Sequence, residues 1–142
     1  MKKWIVILFL CSGISCKNEK KESEVVAVQH TVEVQESISR GASVYNNFCA
    51  SCHLAGGEGI EGVFPPLKGS DWLSEQPEKS IHAIKFGISG PIEVNGQTYD
   101  NLMPALGLTD QEIADVMNYI SASWGNQLEE PISPEKVGSI KK

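Results

Sequence analysis

Cys49-Ala50-Ser51-Cys52-His53 is the stretch that asks most of any fold built around it. Two thiols three residues apart on a helical turn can add to the two vinyl groups of a haem, and the adjacent imidazole is then placed to bind the iron from one face. The neighbouring His separates this reading from the two common rivals for a C-x-x-C pair. A thioredoxin-like redox pair asks for a βαβ setting, and a zinc ribbon asks for a second ligand pair at matching spacing. Neither is present. Outside the motif the only Cys and His residues are Cys11, Cys16, His30 and His82. One covalent haem is therefore expected, attached through Cys49 and Cys52 with His53 on its iron.

The start of the chain reads as export machinery. Lys2 and Lys3 precede the apolar run from Trp4 to Leu10, and a small, polar run from Cys11 to Ser15 follows. Trp4 to Ile14 is 11 residues, whereas a membrane span needs about 20. Residues 1–15 are expected to be a secretory signal. Gly13-Ile14-Ser15-Cys16 resembles a bacterial lipobox, with Gly13 where Leu is usual, and implies cleavage before Cys16 and a diacylglycerol on its thiol. That use closes the cysteine count: one in the signal, one lipidated and two on the haem. Losing Lys2 and Lys3 leaves ten basic and eighteen acidic residues, a formal charge of −8. Such a charge argues against nucleic acid and against a polybasic membrane anchor.

With 142 residues the chain holds one domain and accessory segments. Residues 16–36 are expected to carry the lipid and a flexible tether. Lys17 to Glu24 is charged with nothing to bury, and Val26, Val28, Val32 and Val34 alternate as in a short extended segment, with His30 half-buried on the Val side. Residues 37–126 form the domain. Ser37 can cap a helix reaching the haem motif, with Ile38, Gly41, Tyr45 and Phe48 on one face. Thr109-Asp110-Gln111-Glu112 is a capping box, after which Ile113, Val116, Met117, Ile120 and Trp124 share a face and Gly125 is placed as a stop. Gly41 in an apolar helical face suits close approach of a second helix, so these two should cross there. Between them, 55–62 is a glycine-rich loop, Ser74 to Gly87 reads as a helix with Pro77 in its first turn, and Asn95-Gly96 centres a tight β-hairpin. Residues 127–142 form a tail packing on the domain.

A low-spin haem needs a second ligand opposite His53, and Met103, Met117 and His82 are the candidates. Met117 sits on a core stripe, the ordinary place for a Met. His82 flanks an apolar helix face. Met103 lies outside any helical stripe and is followed by the stiff Pro104, so it is the expected ligand. A soft, neutral thioether favours Fe(II) more than a second His would. With both faces filled, the iron changes oxidation state without taking up a substrate.

From Ser37 to about Asn126 the chain resembles the class I monohaem cytochromes c. The residues that carry the likeness are Gly41, Tyr45, Cys49 to His53, Pro65, Met103-Pro104 and the helix at Thr109. The resemblance implies that the Pro65 carbonyl accepts a hydrogen bond from His53 Nδ1. More narrowly, Gly90 to Gly96, Tyr99, Met103-Pro104 and Ser123 to Asn126 look like the cytochrome domains that accompany bacterial oxidases, copper nitrite reductases and dehydrogenases. A mostly α fold is implied, with about three main helices around one haem c and a small β-hairpin before the axial Met loop. The implied function is single-electron transfer between protein redox partners, without catalytic residues, on the periplasmic side of a bacterial membrane. The alternatives are an enzyme or gas sensor with an open sixth iron site, and a subunit docked permanently in an oxidase or reductase. Only Lys68, Lys79 and Lys85 lie in the central domain, so a largely apolar docking patch is expected. Trp72, Tyr99 and His82 are available as donors to haem propionates.

Overall fold

The computed structural model describes residues 19–127 and 130–142, with side chains from residue 29 onward. The expected signal, 1–15, and the expected lipidation site, Cys16, lie outside the described residues. Helix α1 (Glu19–Phe48) is a single run of 30 residues, about 45 Å long at the usual helical rise. This corrects the reading of 19–36. From Glu19 onward neither a flexible tether nor an extended segment is present. Glu, Lys and Gln favour helix, and no Gly or Pro occurs between Glu19 and Gly41. Once packing fixes α1 near Tyr45, each residue added toward the N-terminus needs no new nucleus, and the small Val penalty does not halt propagation. Val32 is 50% exposed and His30 is exposed rather than half-buried.

Ser37 consequently lies inside α1 and caps nothing. Its hydroxyl instead donates to Asp115 Oδ1 at 2.6 Å, across to α5 (Asp110–Ala122). The crossing of α1 and α5 is at Gly41, as the sequence predicts. A Cβ there would overlap the Asp115 carbonyl oxygen and stand 2.8 Å from Tyr119 Cβ. The two backbones can meet only because Gly41 has no side chain. Around the contact, Tyr45, Ile113, Val116 and Met117 are fully buried, and Ile81 and Val137 complete the core from other elements.

The Thr109 capping box is formed, with Thr109 and Glu112 bonded reciprocally. Helix α5 ends at Ala122 with Ser123 as C-cap, before Gly125, so Trp124 is not on its face. Trp124 takes a φ of 54° and turns back onto Tyr45 and Tyr119, with ring centroids 5.2 and 5.8 Å away. The helix expected from Ser74 is two helices, α3 (Asp71–Glu75) and α4 (Pro77–Phe86). Pro77 brings no N–H to continue α3, and it opens α4 instead. Strands β1 (Ile92–Val94) and β2 (Gln97–Tyr99) pair antiparallel with Val94 opposite Gln97. Asn95 and Gly96 carry the positive φ angles, 52° and 75°, of a two-residue primed turn. A last helix, α6 (Pro134–Ser139), buries Val137, and the Asn118 side chain holds the preceding segment by bonding both N–H and C=O of Ile132.

Short helix α2 (Ala50–His53) follows α1 across Cys49. Helices α1, α2, α4 and α5 and the hairpin all contribute residues to one cleft, among them Phe48, Cys52, Ile84, Ile120 and Val94. Among the described residues, no helix is long and apolar enough to cross a membrane.

Candidate haem site

The motif is mounted on the end of α1. Cys49 N–H donates to Tyr45 O at 2.9 Å, and His53 N–H donates to Cys49 O at 2.9 Å, so the turn carrying His53 is tied to the buried Tyr45. The Tyr45 hydroxyl donates to Leu54 O at 2.6 Å and fixes the chain just after His53. There Leu54 has a φ of 64°, which lets the backbone leave α2 sharply.

His53 Nδ1 lies 2.9 Å from Pro65 O. A carbonyl can only accept, so Nδ1 carries the proton and Nε2 keeps its lone pair for a metal. Burial pulls His53 below its usual value of 6.5, and the Pro65 carbonyl opposes that pull only in part. The ring is therefore neutral at pH 7 and competent as a ligand. Burial, with Cys52 adding to it, pushes the Cys49 thiol up to about 11. A thioether bond to haem would remove the ionisable group altogether. Among the described residues, no group of three or more His, Cys, Asp or Glu could hold a metal ion.

Cys49, Cys52, His53 and Met103 all line one cavity of about 350 Å³. Its walls are largely apolar, with Phe64, Leu73, Ile84, Ile88 and Val94 among them. Two thiols, one neutral imidazole and apolar walls match the demands of a covalently attached macrocycle. Met117 is fully buried in the core and does not line this cavity. His82 stands against Phe86, ring centroids 5.0 Å apart, and does not line it either. Of the three residues proposed from sequence for the sixth position, the fold brings only Met103 to the cavity. Trp72 and Tyr99 also line it.

Met103 is carried by a loop with few attachments. Its N–H and C=O pair with those of Ile88 at 3.0 and 2.9 Å, just beyond α4. Gly87 (φ 81°) backs this pairing so closely that a Cβ would stand 2.9 Å from both Met103 O and Ala105 N. Asn101 Nδ2 adds a bond to Val63 O at 2.9 Å, and both residues line the cavity. Sequence reading found the Met and its Pro but not these supports. The paired Gly87-Ile88 at a helix end was the available signal.

Residues 38–124 match the family model described as cytochrome c. The chain belongs to the cytochrome c family. Over 110 residues the cytochrome is 36% identical to cytochrome c-552 of Thermus thermophilus, an alignment covering 71% of this chain and 83% of that protein. It is 36% identical over 109 residues to the gluconate 2-dehydrogenase cytochrome c subunit of Pantoea cypripedii, covering 72% of this chain but 24% of the relative. With the cbb3-type cytochrome c oxidase subunit CcoP of Rhodobacter capsulatus it shares 38% identity over 96 residues, 63% of this chain and 31% of the relative. The class I monohaem organisation expected from the sequence is thus borne out, as is the mostly helical fold. The cytochrome carries haem c through Cys49 and Cys52 and serves electron transfer, not catalysis of its own.

Proposed function

We propose that this cytochrome is an exported, membrane-tethered carrier of single electrons whose haem iron is held between His53 and Met103. The observation that carries the reading is the meeting of a Pro65-oriented, neutral His53 and of Met103 in one apolar cavity with both thiols. Bound haem supplies a one-electron iron centre, and the residues around it do the rest. Pro65 orients the imidazole, the apolar walls exclude water, and the Ile88 pairing holds the thioether in place. An iron with both faces filled offers no site to a substrate. Reduced holoprotein should therefore not bind carbon monoxide. Binding by the unmodified protein would bring forward the alternative with an open or displaceable sixth site.

Export rests on the signal-like residues 1–15 and anchoring on Cys16. If Cys16 carries the lipid, α1 from Glu19 onward acts as a helical spacer, not a loose tether. Mass spectrometry of the membrane fraction should find a chain starting at Cys16 with a diacylglycerol. A soluble mature protein with an unmodified Cys16 would remove the anchor from the account.

Partners are expected among the oxidase, copper nitrite reductase and dehydrogenase classes, on the periplasmic side of a bacterial membrane. The names of the relatives also support a second reading, a subunit held within such a complex. Phe48, Val63 and Leu102 line the cleft and are 43%, 39% and 71% exposed, an apolar rim for docking. The nearby cations are partly committed, since Lys85 pairs with Asp110 at 2.8 Å and Lys79 lies over the Trp72 ring. Partner reaction should accordingly vary little with salt.

A further inference from the structure

We propose that Gly59 is a positioning residue for the His53 side of the haem: having no side chain, it lets the Pro65 carbonyl reach the His53 ring and so sets the strength of that ligand. The proposal rests on the reading of His53 as an iron ligand. Gly59 is buried and sits between the two ends of one short circuit. Its N–H donates to the backbone oxygen of His53 at 3.0 Å. On its other side lies Pro65, whose carbonyl accepts from the ring of that same His53 at 2.9 Å. A Cβ on Gly59 would stand 2.7 Å from both C and O of Pro65 and would overlap the oxygen of Phe64. These are backbone atoms, not the ends of flexible side chains.

Nor can the loop easily move aside. Phe64 exchanges two backbone bonds with Ile60, each 2.8 Å, and Leu67 and Lys68 both donate to Gly57 O at 2.8 and 2.9 Å. Pro65 is therefore held from both flanks, and the motion left to relieve a Cβ is withdrawal of the carbonyl from His53. A weaker bond to Nδ1–H lowers the basicity of the imidazole, which stabilises Fe(III) less and raises the reduction potential.

The same loop supplies its own control. Gly62 has a φ of 71°, close to the 67° of Gly59, but a Cβ on it would meet nothing nearer than Gln97 Nε2 at 3.8 Å. Substitution at either site bears the strain of positive φ, and only Gly59 adds the collision with Pro65. The test is redox titration of full-length Gly59→Ala and Gly62→Ala holoproteins. Resonance Raman spectra of the reduced forms in a Met103→Ala background add the iron–imidazole stretch as a second readout. Gly59→Ala should raise the potential and lower the stretch frequency, while Gly62→Ala leaves both near their starting values. Equal shifts in the two variants, or no potential shift in Gly59→Ala, would overturn the proposal. If Gly59→Ala yields no holoprotein, Gly59→Asn is compared with Gly62→Asn, because Asn brings the same Cβ and tolerates positive φ better. Loss of holoprotein from both Gly59 variants, with both Gly62 variants intact, would overturn it in favour of a folding role alone. Failure of the underlying ligand reading looks different: His53→Ala would then keep the parent haem spectrum.

Discussion

The α1–α5 crossing and the Met103 loop are held by different means. At the crossing, two backbones touch through Gly41, and Asp115 gathers hydrogen bonds from Ser37, Gln111 and twice from Arg40 at 2.6 to 2.9 Å. The Met103 loop has one backbone pairing with Ile88, the Asn101 bond, and Leu102 71% exposed beside it. The frame is built by packing, and the loop by a few bonds and a close-fitting glycine. If Met103 is the sixth ligand as proposed, stability and ligation should separate: damage to the frame costs folding free energy, and damage to the loop costs that ligand.

The sharpest blow to the frame is Gly41→Ala. Its Cβ must force the helices apart, and about 3 kcal/mol should be lost in denaturant unfolding of the holoprotein, with the haem spectrum of surviving folded protein unchanged. Asp115→Ala should cost about 2 kcal/mol, because Ser37, which is buried, loses its acceptor. Burial alone would raise the Asp115 carboxyl, but the bonds from Arg40, Ser37 and Gln111 outweigh it and hold the group below its ordinary 3.8. A depressed folded value means the stabilisation is complete above 3.8 and fades as pH falls through the lower, folded value. Asp115→Asn should therefore flatten the acid limb of the stability curve below about pH 4. On the loop, Gly87→Ala should cost only about 1 kcal/mol yet open the sixth site to added imidazole, which the frame variants should not do. The smallest effect belongs to the exposed Lys136–Glu78 pair, where Lys136→Ala should change stability by less than about 0.5 kcal/mol and ligation not at all. Imidazole binding by Gly41→Ala, or a loss in Gly87→Ala as large as at the crossing, would erase the contrast.

Local chemistry made much of this legible. A five-residue motif named the attachment site, Asn95-Gly96 named the turn, the Thr109 box named the start of α5, and the lone helical Gly41 named the crossing. What sequence hid were effects of competition and distance. Ser37 has the chemistry of a cap, but a helix already nucleated by packing ran through it to Glu19 and left its hydroxyl for Asp115. Pro77 can sit in a first turn or divide two helices, and here it does both, with Ser70 as the N-cap of the helix before it. Trp124 keeps the helical spacing yet lies beyond the helix end. At the cleft, residue type singled out Met103 and Pro65, whereas the parts of Gly59 and Gly87 depend on which backbone each one faces, and spacing along the chain does not encode that.

The central claim is His53/Met103 ligation, and the absorption spectrum of the oxidised holoprotein, beside that of Met103→Ala, tests it most directly. The account predicts a weak thioether-to-iron charge-transfer band at the red edge in the parent and its disappearance in Met103→Ala. A parent spectrum without that band, or a band that survives removal of Met103, would contradict it.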